Sequence, residues 1–514
     1  MQVKKGAGRI KRMDKGRVYL VGAGPGDTGL LTLKGMEVLK KAEVVIYDSL
    51  CGDEILSSVP VSAKMIFAGK RTGRHSMPQE EINNILIEEA KAGRLVVRLK
   101  GGDPLLFGRG GEEMEALRDN GIPYEVVPGV TAALSVPAYA GIPVTHRDCA
   151  SSVHIVTGHK RAGGKDHIDY DALVKANGTL IFLMGVASLP EITKGLLEAE
   201  MDPEMPAAII ENGTTAAQRS IFADVKTLAQ KAKEQNIKAP ATIVIGNVCA
   251  YADDLKWRED LPLFGRKIIL CRPEGRNEKT ARILREKGAE VLEFPSISTR
   301  EIEENSRLKE CISDIGKYGW IAFTGAEGVR IFFKKLFEYG KDARSLSGIK
   351  FAAIGSATAE ELKKYAIAAD LVPEKYDGAS LGKELAKRAK PNERILIPRS
   401  SIGGDDIINA LKARQDITAD DVPVYDTFYE KPAFAGIRKC IKEGTADCVV
   451  FASASAVRGF TAAFKGEDLT KTVAVCIGEP TQKEADKYGM KSYVADSAEM
   501  RSVEEKITDL FGRA

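Results

Sequence analysis

The sequence has little that would indicate a disulfide framework, a membrane span or a nucleic-acid binder. Its eight cysteines are scattered over 514 residues without a CxxC pair, a pattern typical of buried thiols in a reducing compartment. No apolar run approaches the roughly 18 residues that a membrane-spanning helix needs. The net charge of +3 is too small for a broad field that attracts nucleic acid. We therefore expect a cytoplasmic protein without membrane or nucleic-acid partners.

Histidine is also scarce, and its distribution is uneven. All five histidines lie in the first third of the chain, between His75 and His167. Imidazole is the commonest general base and metal ligand in proteins. The second half of the chain must therefore work without histidine-based acid–base catalysis, and we expect no metal site.

The length of the chain predicts more than one domain, because single hydrophobic cores stop growing well below this size. Strands and amphipathic helices alternate between Val18 and about Val248, which is typical of an α/β architecture with helices covering a largely parallel sheet. Glycine, proline and charged residues then cluster in YADDLKWREDLPLFGRK, the best candidate for a linker. These observations predict four segments: a basic tail (1–16), a first domain (17–257), a linker (258–265) and a second domain (266–514).

Beyond Arg266 the sequence repeats itself. Three strand–turn–helix units each occur twice: 267–295 and 394–425, 320–333 and 448–460, and 351–373 and 473–495. Duplicated units predict two similar α/β lobes. The order of the copies places one lobe inside the other, with lobe A over 266–298 and 428–514 and lobe B over 302–424. A double connection of this kind predicts a hinge and a cleft between the lobes.

The stretch VYLVGAGPGDTGLLTLKG (residues 18–35) runs from an apolar strand into a glycine cluster. The glycines could form a dinucleotide fingerprint, G-x-G-x-x-G, with Asp48 as the ribose-binding acid, which would make the protein a nicotinamide oxidoreductase. Against this, Asp27 places a carboxylate where a pyrophosphate would bind, and Pro25 rigidifies the loop that should present backbone donors. A tight structural turn would explain the glycines, but not the motifs that follow.

Eight further motifs accompany GAGPGD in a fixed order: YDSL, GKRTGRHSMPQEEIN, RLKGGDPLLFGRGGEE, VVPGVTAA, GIPVTHRD, TGH, IFLMG and ENGT. Together they resemble the S-adenosylmethionine-dependent uroporphyrinogen-III C-methyltransferases of the tetrapyrrole methylase family, over residues 17–257. The resemblance implies a two-lobed fold in which S-adenosylmethionine binds folded in a cleft. It also implies that the domain is a homodimer.

The resemblance further implies which residues contact the methyl donor: Pro25, Gly101, Gly102, Asp103, Leu106, Thr131, Ala132, Met184, Gly213 and Ala241. Glycine lets the backbone approach a ligand closely, because it has no Cβ. The Asp103 carboxylate can accept hydrogen bonds from ribose hydroxyls. Leu106 departs from the isoleucine often seen in the family, a change that conserves volume.

The same resemblance assigns the chemistry of methyl transfer. Asp48 is the proposed proton acceptor and Lys70 a proposed donor. Alternatively, Asp48 is only a carboxylate at the end of a strand and Lys70 only a solvated surface lysine. A polyacidic macrocycle calls for guanidinium groups, which bind carboxylates in a fork geometry. The substrate-facing positions of the family correspond to four residues here: Arg109, Glu112, Arg147 and Met184.

The histidine-free second half resembles uroporphyrinogen-III synthase over about 266–510, on its twofold repeat and its small polar turns FTGAEG, IGSAT, IPRS, ASAS and IGEPT. Turns at helix N-termini bind carboxylates through backbone N–H groups. We expect substrate contacts there from seven residues: Arg272, Thr324, Ser356, Arg399, Ser453, Ser455 and Thr481. Tyr425 matches the crossover tyrosine of the family, which would hydrogen-bond the departing hydroxyl, although it could equally pack between the lobes.

Taken together, the two resemblances predict a bifunctional enzyme. Its synthase would close hydroxymethylbilane to uroporphyrinogen III with inversion of the last ring and without a cofactor, and its methyltransferase would convert that product to precorrin-2, for sirohaem or cobalamin. An alternative keeps the methyltransferase but treats the second half as a non-catalytic, two-lobed tetrapyrrole carrier.

Overall fold

The protein is described from a computed structural model, which covers residues 16–60, 62–69, 77–158, 168–273, 275, 277–430 and 435–513. Within these ranges the chain forms four five-stranded sheets with helices packed on their faces. Two sheets belong to the first half of the chain and two to the second. The α/β class and the two-lobed second half predicted from sequence are confirmed.

The first sheet has the strand order β3-β2-β4-β1-β5, and its strands all run parallel. Its strands are β1 (Arg17–Gly22), β2 (Val44–Tyr47), β3 (Lys64–Phe67), β4 (Leu95–Lys100) and β5 (Tyr124–Val127). Its helices are α1 (Leu33–Leu39), α2 (Asp53–Ser57), α3 (Gln79–Lys91) and α4 (Gly110–Asp119). Because the strands are parallel, their carboxyl ends and the loops that follow them lie at one edge of the sheet.

Helix α5 (Ala132–Tyr139) leads into the second sheet, which has the order β6-β7-β10-β8-β9. Only the β6–β7 pair is parallel, so the prediction of a largely parallel sheet holds for the first sheet and not for this one. The strands are β6 (Val153–Thr157), β7 (Thr179–Leu183), β8 (Pro206–Glu211), β9 (Arg219–Asp224) and β10 (Ala241–Ile245). The helices are α6 (Tyr170–Lys175), α7 (Leu189–Glu198), α8 (Val225–Glu234) and α9 (Ala252–Leu255).

The third sheet is entirely parallel, with the order β12-β11-β18-β19-β20. Its strands are β11 (Lys267–Cys271), β12 (Glu290–Glu293), β18 (Cys448–Phe451), β19 (Val473–Cys476) and β20 (Lys491–Val494). Its helices are α10 (Glu278–Glu286), α16 (Ala435–Glu443), α17 (Ala454–Ala463), α18 (Glu479–Asp486) and α19 (Met500–Phe511).

The fourth sheet is formed by the segment inserted between the strands of the third, with the order β13-β17-β16-β14-β15. Its strands are β13 (Ile297–Glu301), β14 (Trp320–Phe323), β15 (Lys350–Ala353), β16 (Arg394–Ser400) and β17 (Thr418–Tyr429). Its helices are α11 (Ser306–Ser313), α12 (Ala326–Glu338), α13 (Ser356–Lys363), α14 (Gly378–Arg388) and α15 (Asp406–Lys412). Short 3₁₀ turns lie at Thr28–Leu30, Asn247–Tyr251, Ile315–Lys317 and Ala343–Leu346.

The two sheets of the second half repeat one arrangement. The order β12-β11-β18-β19 in one corresponds to β17-β16-β14-β15 in the other, and each pair of corresponding strands β11/β16, β18/β14 and β19/β15 lies in one of the duplicated sequence units. Even the last strand has a counterpart, since Ala352 forms an isolated parallel bridge with Leu371. The internal repeat therefore predicted two similar lobes correctly, with one inserted into the other.

The two halves of the chain share an apolar core. Helix α2 of the first half contacts β12 and α16 of the second. Ile55 and Leu56 of α2 are buried in the same apolar cluster as Leu292 of β12 and Ile441 of α16. Removing such surface from water favours association by about 25 cal/mol per Å², so the two halves are joined by packing as well as by the chain.

None of the helices in these ranges combines the length and the apolar character needed to span a bilayer. All eight cysteines are free thiols, and Cys149 alone among them is half-buried rather than buried.

Candidate active sites

Three loops meet at the carboxyl edge of the first sheet, where β4, β1 and β5 are neighbours. The loop after β1 is joined to the loop after β4 by a pair of backbone hydrogen bonds between Gly24 and Gly102, with N···O distances of 3.1 and 2.7 Å. The loop after β5 is joined to them by Gly129, whose N–H donates to Asp103 Oδ2 at 3.1 Å. The motifs GAGPGD, GGDP and VVPGVTAA therefore form one structural unit.

The glycines of these loops serve two different purposes. A Cβ on Gly129 would lie 2.2 Å from the Gly102 carbonyl oxygen, so that glycine is required for the loops to pack on each other. Gly102 has a φ of +67°, but the nearest atoms to a Cβ there would be Ala132 N at 3.7 Å and Thr131 Cα at 3.8 Å. Gly102 therefore lies against Thr131 and Ala132 without a clash, and all three residues are assigned to the methyl donor.

Met184, Gly213 and Ala241 lie together at one end of the second sheet. Met184 follows β7, Gly213 follows β8, and Ala241 begins β10, which runs antiparallel between those two strands. Met184 has a φ of +56° and is half exposed. Gly213 is buried, and a Cβ there would collide with Val136 of α5.

This end of the second sheet faces the loops of the first. The Asp27 N–H donates to Thr214 Oγ1 at 3.2 Å, and a Cβ on Gly26 would lie 2.8 Å from Thr215 Cγ2. The structure thus brings the ENGT turn against GAGPGD, although the two are far apart in sequence. Pro25 and Leu106, the remaining assigned contacts, are half-buried in the loops after β1 and β4.

Asp27 caps the short helical turn that follows GAGPGD. Its Oδ1 accepts from Gly29 N at 2.7 Å, and its Oδ2 accepts from the Tyr139 hydroxyl at 2.9 Å. Arg258 NH2 lies 3.5 Å from the same carboxylate. Because a carboxylate already satisfies the N-terminus of this turn, the anion-binding feature of a dinucleotide fingerprint is taken up by the protein itself. This geometry argues against the nicotinamide alternative.

Asp48 follows β2, next to β4 in the sheet. Its Oδ1 accepts from Leu50 N at 3.0 Å, and its Oδ2 lies 3.7 Å from Arg98 NH2. The side chain is about one quarter exposed, so the carboxylate is oriented by the protein and still accessible. Lys70, the proposed donor, lies outside the described residues.

A buried ionic cluster behind Asp48 was missed by the sequence analysis. Glu113 of α4 is fully buried, and its Oε1 accepts from Arg98 Nε at 3.0 Å and from Lys100 Nζ at 3.1 Å. Burial, and then the neighbouring Arg98, lower the pKa of Lys100. The available signal was the strand LVVRLK itself, because two charged residues at alternate positions of an otherwise apolar central strand need buried partners.

The residues assigned to the macrocycle are on the surface of the first half. Arg109, with a φ of +57°, precedes α4 and forms a two-pronged pair with Glu112, at 2.8 and 2.6 Å. The side-chain hydrogen bond to Glu112 raises the pKa of Arg109. Arg147 is exposed, in a turn closed by the bridge between His146 and Ala150. His146 stacks on Tyr251, with ring centroids 4.4 Å apart.

In the second half, a cavity of about 520 Å³ lies between the two lobes. It is lined by residues from the strand-to-helix turns of both sheets and from the crossing strands β13 and β17. Six of the eight residues predicted from sequence line it: Arg272, Thr324, Arg399, Tyr425, Ser453 and Ser455. Ser356 and Thr481 are not among the lining residues of the described chain, and Thr481 is buried.

The cavity has different polar groups on its two sides. On lobe A, the hydroxyls of Ser453 and Ser455 lie 2.9 Å apart, and Ser453 Oγ caps α17 by accepting from Ala456 N at 3.2 Å. On lobe B, Arg399 is 6% exposed, and its guanidinium donates to both oxygens of Asp421 at 2.6 and 2.5 Å. Because Arg399 also donates to the Gly404 carbonyl at 2.6 Å, its main role in this geometry is to hold the loop that lines the cavity.

Tyr425 lies on β17, directly where the strand passes between the lobes. A Cβ on Gly325 would lie 3.8 Å from its hydroxyl oxygen, so the hydroxyl is at the turn before α12 and lines the cavity. Its ring also packs against the apolar cluster of lobe B. The packing and the hydrogen-bonding roles expected for this residue are therefore compatible.

Comparisons with known proteins match both halves. The model of the family described as Tetrapyrrole (Corrin/Porphyrin) Methylases matches residues 17–229, and that described as Uroporphyrinogen-III synthase HemD matches residues 278–504. The porphyrin biosynthesis protein HemD of Ruminiclostridium josui is 45% identical over 500 residues, which cover 97% of this chain and 99% of that protein.

Two further relatives match a smaller part of the chain. The uroporphyrinogen-III C-methyltransferase of Bacillus subtilis (strain 168) is 40% identical over 68% of this chain and 72% of its own length. The siroheme synthase 2 of Cronobacter sakazakii is 51% identical over 48% of this chain and 52% of its own length. The chain therefore belongs to the family of porphyrin biosynthesis enzymes in which a tetrapyrrole methylase domain is fused to a uroporphyrinogen-III synthase domain.

Proposed function

We propose that the protein catalyses two consecutive reactions. The second half closes hydroxymethylbilane to uroporphyrinogen III with inversion of the last ring, and the first half methylates that product at two positions to give precorrin-2, in the branch that leads to sirohaem or cobalamin. The observation that carries the proposal is that, in each half, predicted residues from distant parts of the sequence lie together. In the first half they lie on three loops of the first sheet and on the end of the second sheet that faces them. In the second half they line the cavity between the two lobes.

In the methyltransferase half, the residues present fit S-adenosylmethionine. Gly102, Thr131 and Ala132 lie together next to Asp103, whose carboxylate is oriented by Gly129 N and can accept from ribose hydroxyls. When bound, S-adenosylmethionine supplies an activated methyl group. Orientation of two reactants can lower a reaction barrier by roughly 7–11 kcal/mol in the best cases. Holding the reactive carbon and the methyl group at contact distance can supply several kcal/mol of this kind.

Each methylation adds a methyl cation to the macrocycle, so one proton must leave. Asp48 would accept it, because its carboxylate is fixed by Leu50 N and Arg98 and remains partly exposed. The macrocycle carries carboxylates at its rim. Arg147, which is exposed, would bind them, and Arg109 would do so by exchanging the Glu112 carboxylate for one of the substrate.

In the synthase half, no cofactor is required for the proposed chemistry. Loss of hydroxide from the hydroxymethylbilane leaves a cation at one end of this linear substrate. The last pyrrole ring of the same substrate molecule attacks that cation, and the products are uroporphyrinogen III and water. Tyr425 would donate a hydrogen bond to the departing hydroxyl. The turns at Thr324 and at Ser453 would bind substrate carboxylates through hydroxyls and helix N-terminal N–H groups.

The decisive experiment incubates the full chain with hydroxymethylbilane, with and without S-adenosylmethionine, and identifies the products by mass and by isomer. We expect type III uroporphyrinogen without the methyl donor and a dimethylated type III macrocycle with it. Only the type I isomer, which forms spontaneously, would favour the carrier alternative for the second half. Absence of methylated product from added uroporphyrinogen III would overturn the methyltransferase assignment.

We also propose that the protein is a homodimer through its methyltransferase half and that it works in the cytoplasm. The dimer is supported by the family to which the first half belongs, and the compartment by the eight free thiols. Sedimentation equilibrium of the full chain tests the dimer, since a monomer at micromolar concentration would contradict it.

A further inference from the structure

The boundary between the two halves includes helix α2, which follows the loop Asp48–Gly52 of the proposed methyltransferase site. Glu54 of α2 is 3% exposed and forms an ion pair with Arg285 of α10. The same carboxylate accepts from Val291 N at 3.4 Å, and Ser57 Oγ accepts from Glu293 N at 3.0 Å. The synthase half thus supplies the hydrogen-bonding partners of this helix.

A second contact between the halves lies next to the first. Glu290, at the start of β12, accepts from Ala216 N of the first half at 2.9 Å, and its other oxygen lies 2.9 Å from Lys267 Nζ. Lys267 is also 4.0 Å from Asp53, the first residue of α2. Helix α2 is therefore held at both ends by groups of the synthase half, over the apolar core that the halves share.

Helix α2 is closely connected to the proposed donor-binding loops. Gly52, which precedes it, packs on GAGPGD, since a Cβ there would lie 2.9 Å from Gly26 O. Leu50 packs on GGDP, since a Cβ on Gly101 would lie 2.5 Å from Leu50 Cβ. Contacts as tight as these transmit displacements, because close-packed protein interiors have low compressibility. A shift of α2 must therefore move the loop Asp48–Gly52 and both donor-binding loops with it.

We propose that Arg285, a residue of the synthase half, is a positioning residue for methyl transfer: by holding Glu54 it fixes α2, and through Gly52 and Leu50 it fixes the loops that bind the methyl donor. The inference rests on the proposed methyltransferase function. It assigns the synthase half a second task, because part of the methyltransferase framework is completed only by the fused partner.

The test compares variants of the full chain in both reactions. Arg285→Met leaves the Glu54 carboxylate buried without its cation, which is costly, and we expect it to raise the KM for S-adenosylmethionine about tenfold while cyclisation of hydroxymethylbilane is unchanged. Arg285→Lys should restore most of the affinity. Arg282→Met is the matched control, because Arg282 lies on the same helix, is 70% exposed and pairs only weakly with Glu286.

Two further variants keep the proposal falsifiable if Arg285→Met folds poorly. Ser57→Ala removes one hydrogen bond to β12, and we expect a smaller rise in the same KM. In the double variant Glu54→Gln/Arg285→Met the buried Glu54 charge is gone, and only Glu293, which is partly exposed and 3.4 Å from Arg285, loses its cation. We therefore expect the effects to be non-additive and the KM to fall back towards that of the unaltered chain.

The outcomes are distinguishable. An unchanged KM in both Arg285→Met and Ser57→Ala, or an equal loss of the two activities in both variants, would overturn the positioning role. If the unaltered chain does not methylate uroporphyrinogen III at all, the proposed function itself has failed.

Discussion

The carboxylate of Asp48 and the guanidinium of Arg98 lie 3.7 Å apart, where β2 ends beside β4. Arg98 in turn bonds Glu113, so the residue proposed to accept the proton is connected to a buried ionic cluster inside the first half. Arg98 NH1 also donates to the Leu99 carbonyl at 3.0 Å, which limits its movement. The chemistry proposed for Asp48 therefore depends on side chains that never reach the substrate.

Asp48→Asn should abolish most methyl transfer without preventing donor binding. An amide cannot accept the proton, and general acid–base catalysis contributes about 10²–10⁴-fold to rates. We expect the rate to fall about a hundredfold or more, while equilibrium dialysis shows unchanged binding of S-adenosylmethionine. Asp119→Asn, on the exposed end of α4, is the control. A rate within about twofold of the unaltered chain would assign Asp48 a purely structural role.

Glu113→Gln should destabilise the first half. The substitution leaves Arg98 and Lys100 buried with much less negative charge, and breaking a buried ion pair typically costs about 3–5 kcal/mol. Thermal unfolding should show a clear decrease in the melting temperature. Glu115→Gln is the control, because Glu115 lies two residues further along the same helix and is exposed. It should change the free energy of unfolding by less than about 0.5 kcal/mol. Equal melting temperatures for both variants would contradict the importance of the cluster.

Tyr425→Phe separates the two roles of this residue in the synthase half. The phenylalanine keeps the packing against lobe B but loses the hydroxyl near Gly325. If the hydroxyl assists the departing group, the rate of type III formation falls about tenfold or more and the spontaneous type I isomer increases. Tyr429→Phe, at the exposed end of the same strand, should leave the isomer ratio unchanged. Identical ratios in both variants would mean that Tyr425 only packs.

Glu54 should make the boundary between the halves sensitive to pH. Burial raises the pKa of its carboxyl from 4.5 to about 7, with Asp27 and Glu290 adding to the rise and Arg285 opposing it. A raised pKa in the folded state means that this group's stabilising contribution is complete below about pH 4.5 and is lost as the pH rises through about 7.

The variant Glu54→Gln measures that contribution. We expect the stability of the unaltered chain relative to Glu54→Gln to decrease between about pH 5 and pH 8, by at most about 3 kcal/mol, since each unit of pKa shift corresponds to about 1.4 kcal/mol. Melting temperatures of both chains over this range provide the measurement. Parallel curves would show that the Glu54 carboxyl titrates near its usual pKa.

The sheets and the duplicated lobes could be predicted because their signals are local. Runs such as VVIY and KIILC are strongly apolar, and the duplicated units carry the same order of strand, polar turn and helix. The antiparallel strands of the second sheet could not be predicted, because a strand's direction depends on which neighbour it meets. The boundary between the halves was missed for the same reason, since Glu54 and Arg285 are 231 positions apart.

The site residues divide along similar lines. Gly102, Thr131 and Ala132 lie together as the motifs indicated, although their contact with a methyl donor stays a prediction. Arg399 illustrates what sequence cannot provide: an arginine in a polar turn suggests an anion site, but its partner Asp421 comes from a neighbouring strand. Which charges remain available to a ligand is decided only after the protein's own carboxylates have been paired.

The insertion of lobe B has a mechanical consequence for the cavity. Lobe A packs on the first half through contacts of its β12 and α16 with helix α2. Lobe B, in contrast, is connected to lobe A through the paired strands β13 and β17. Any widening or narrowing of the cavity is therefore a rotation of residues 302–424 about this two-stranded ribbon, against a body several times heavier. A long flexible substrate would therefore be enclosed by one moving wall.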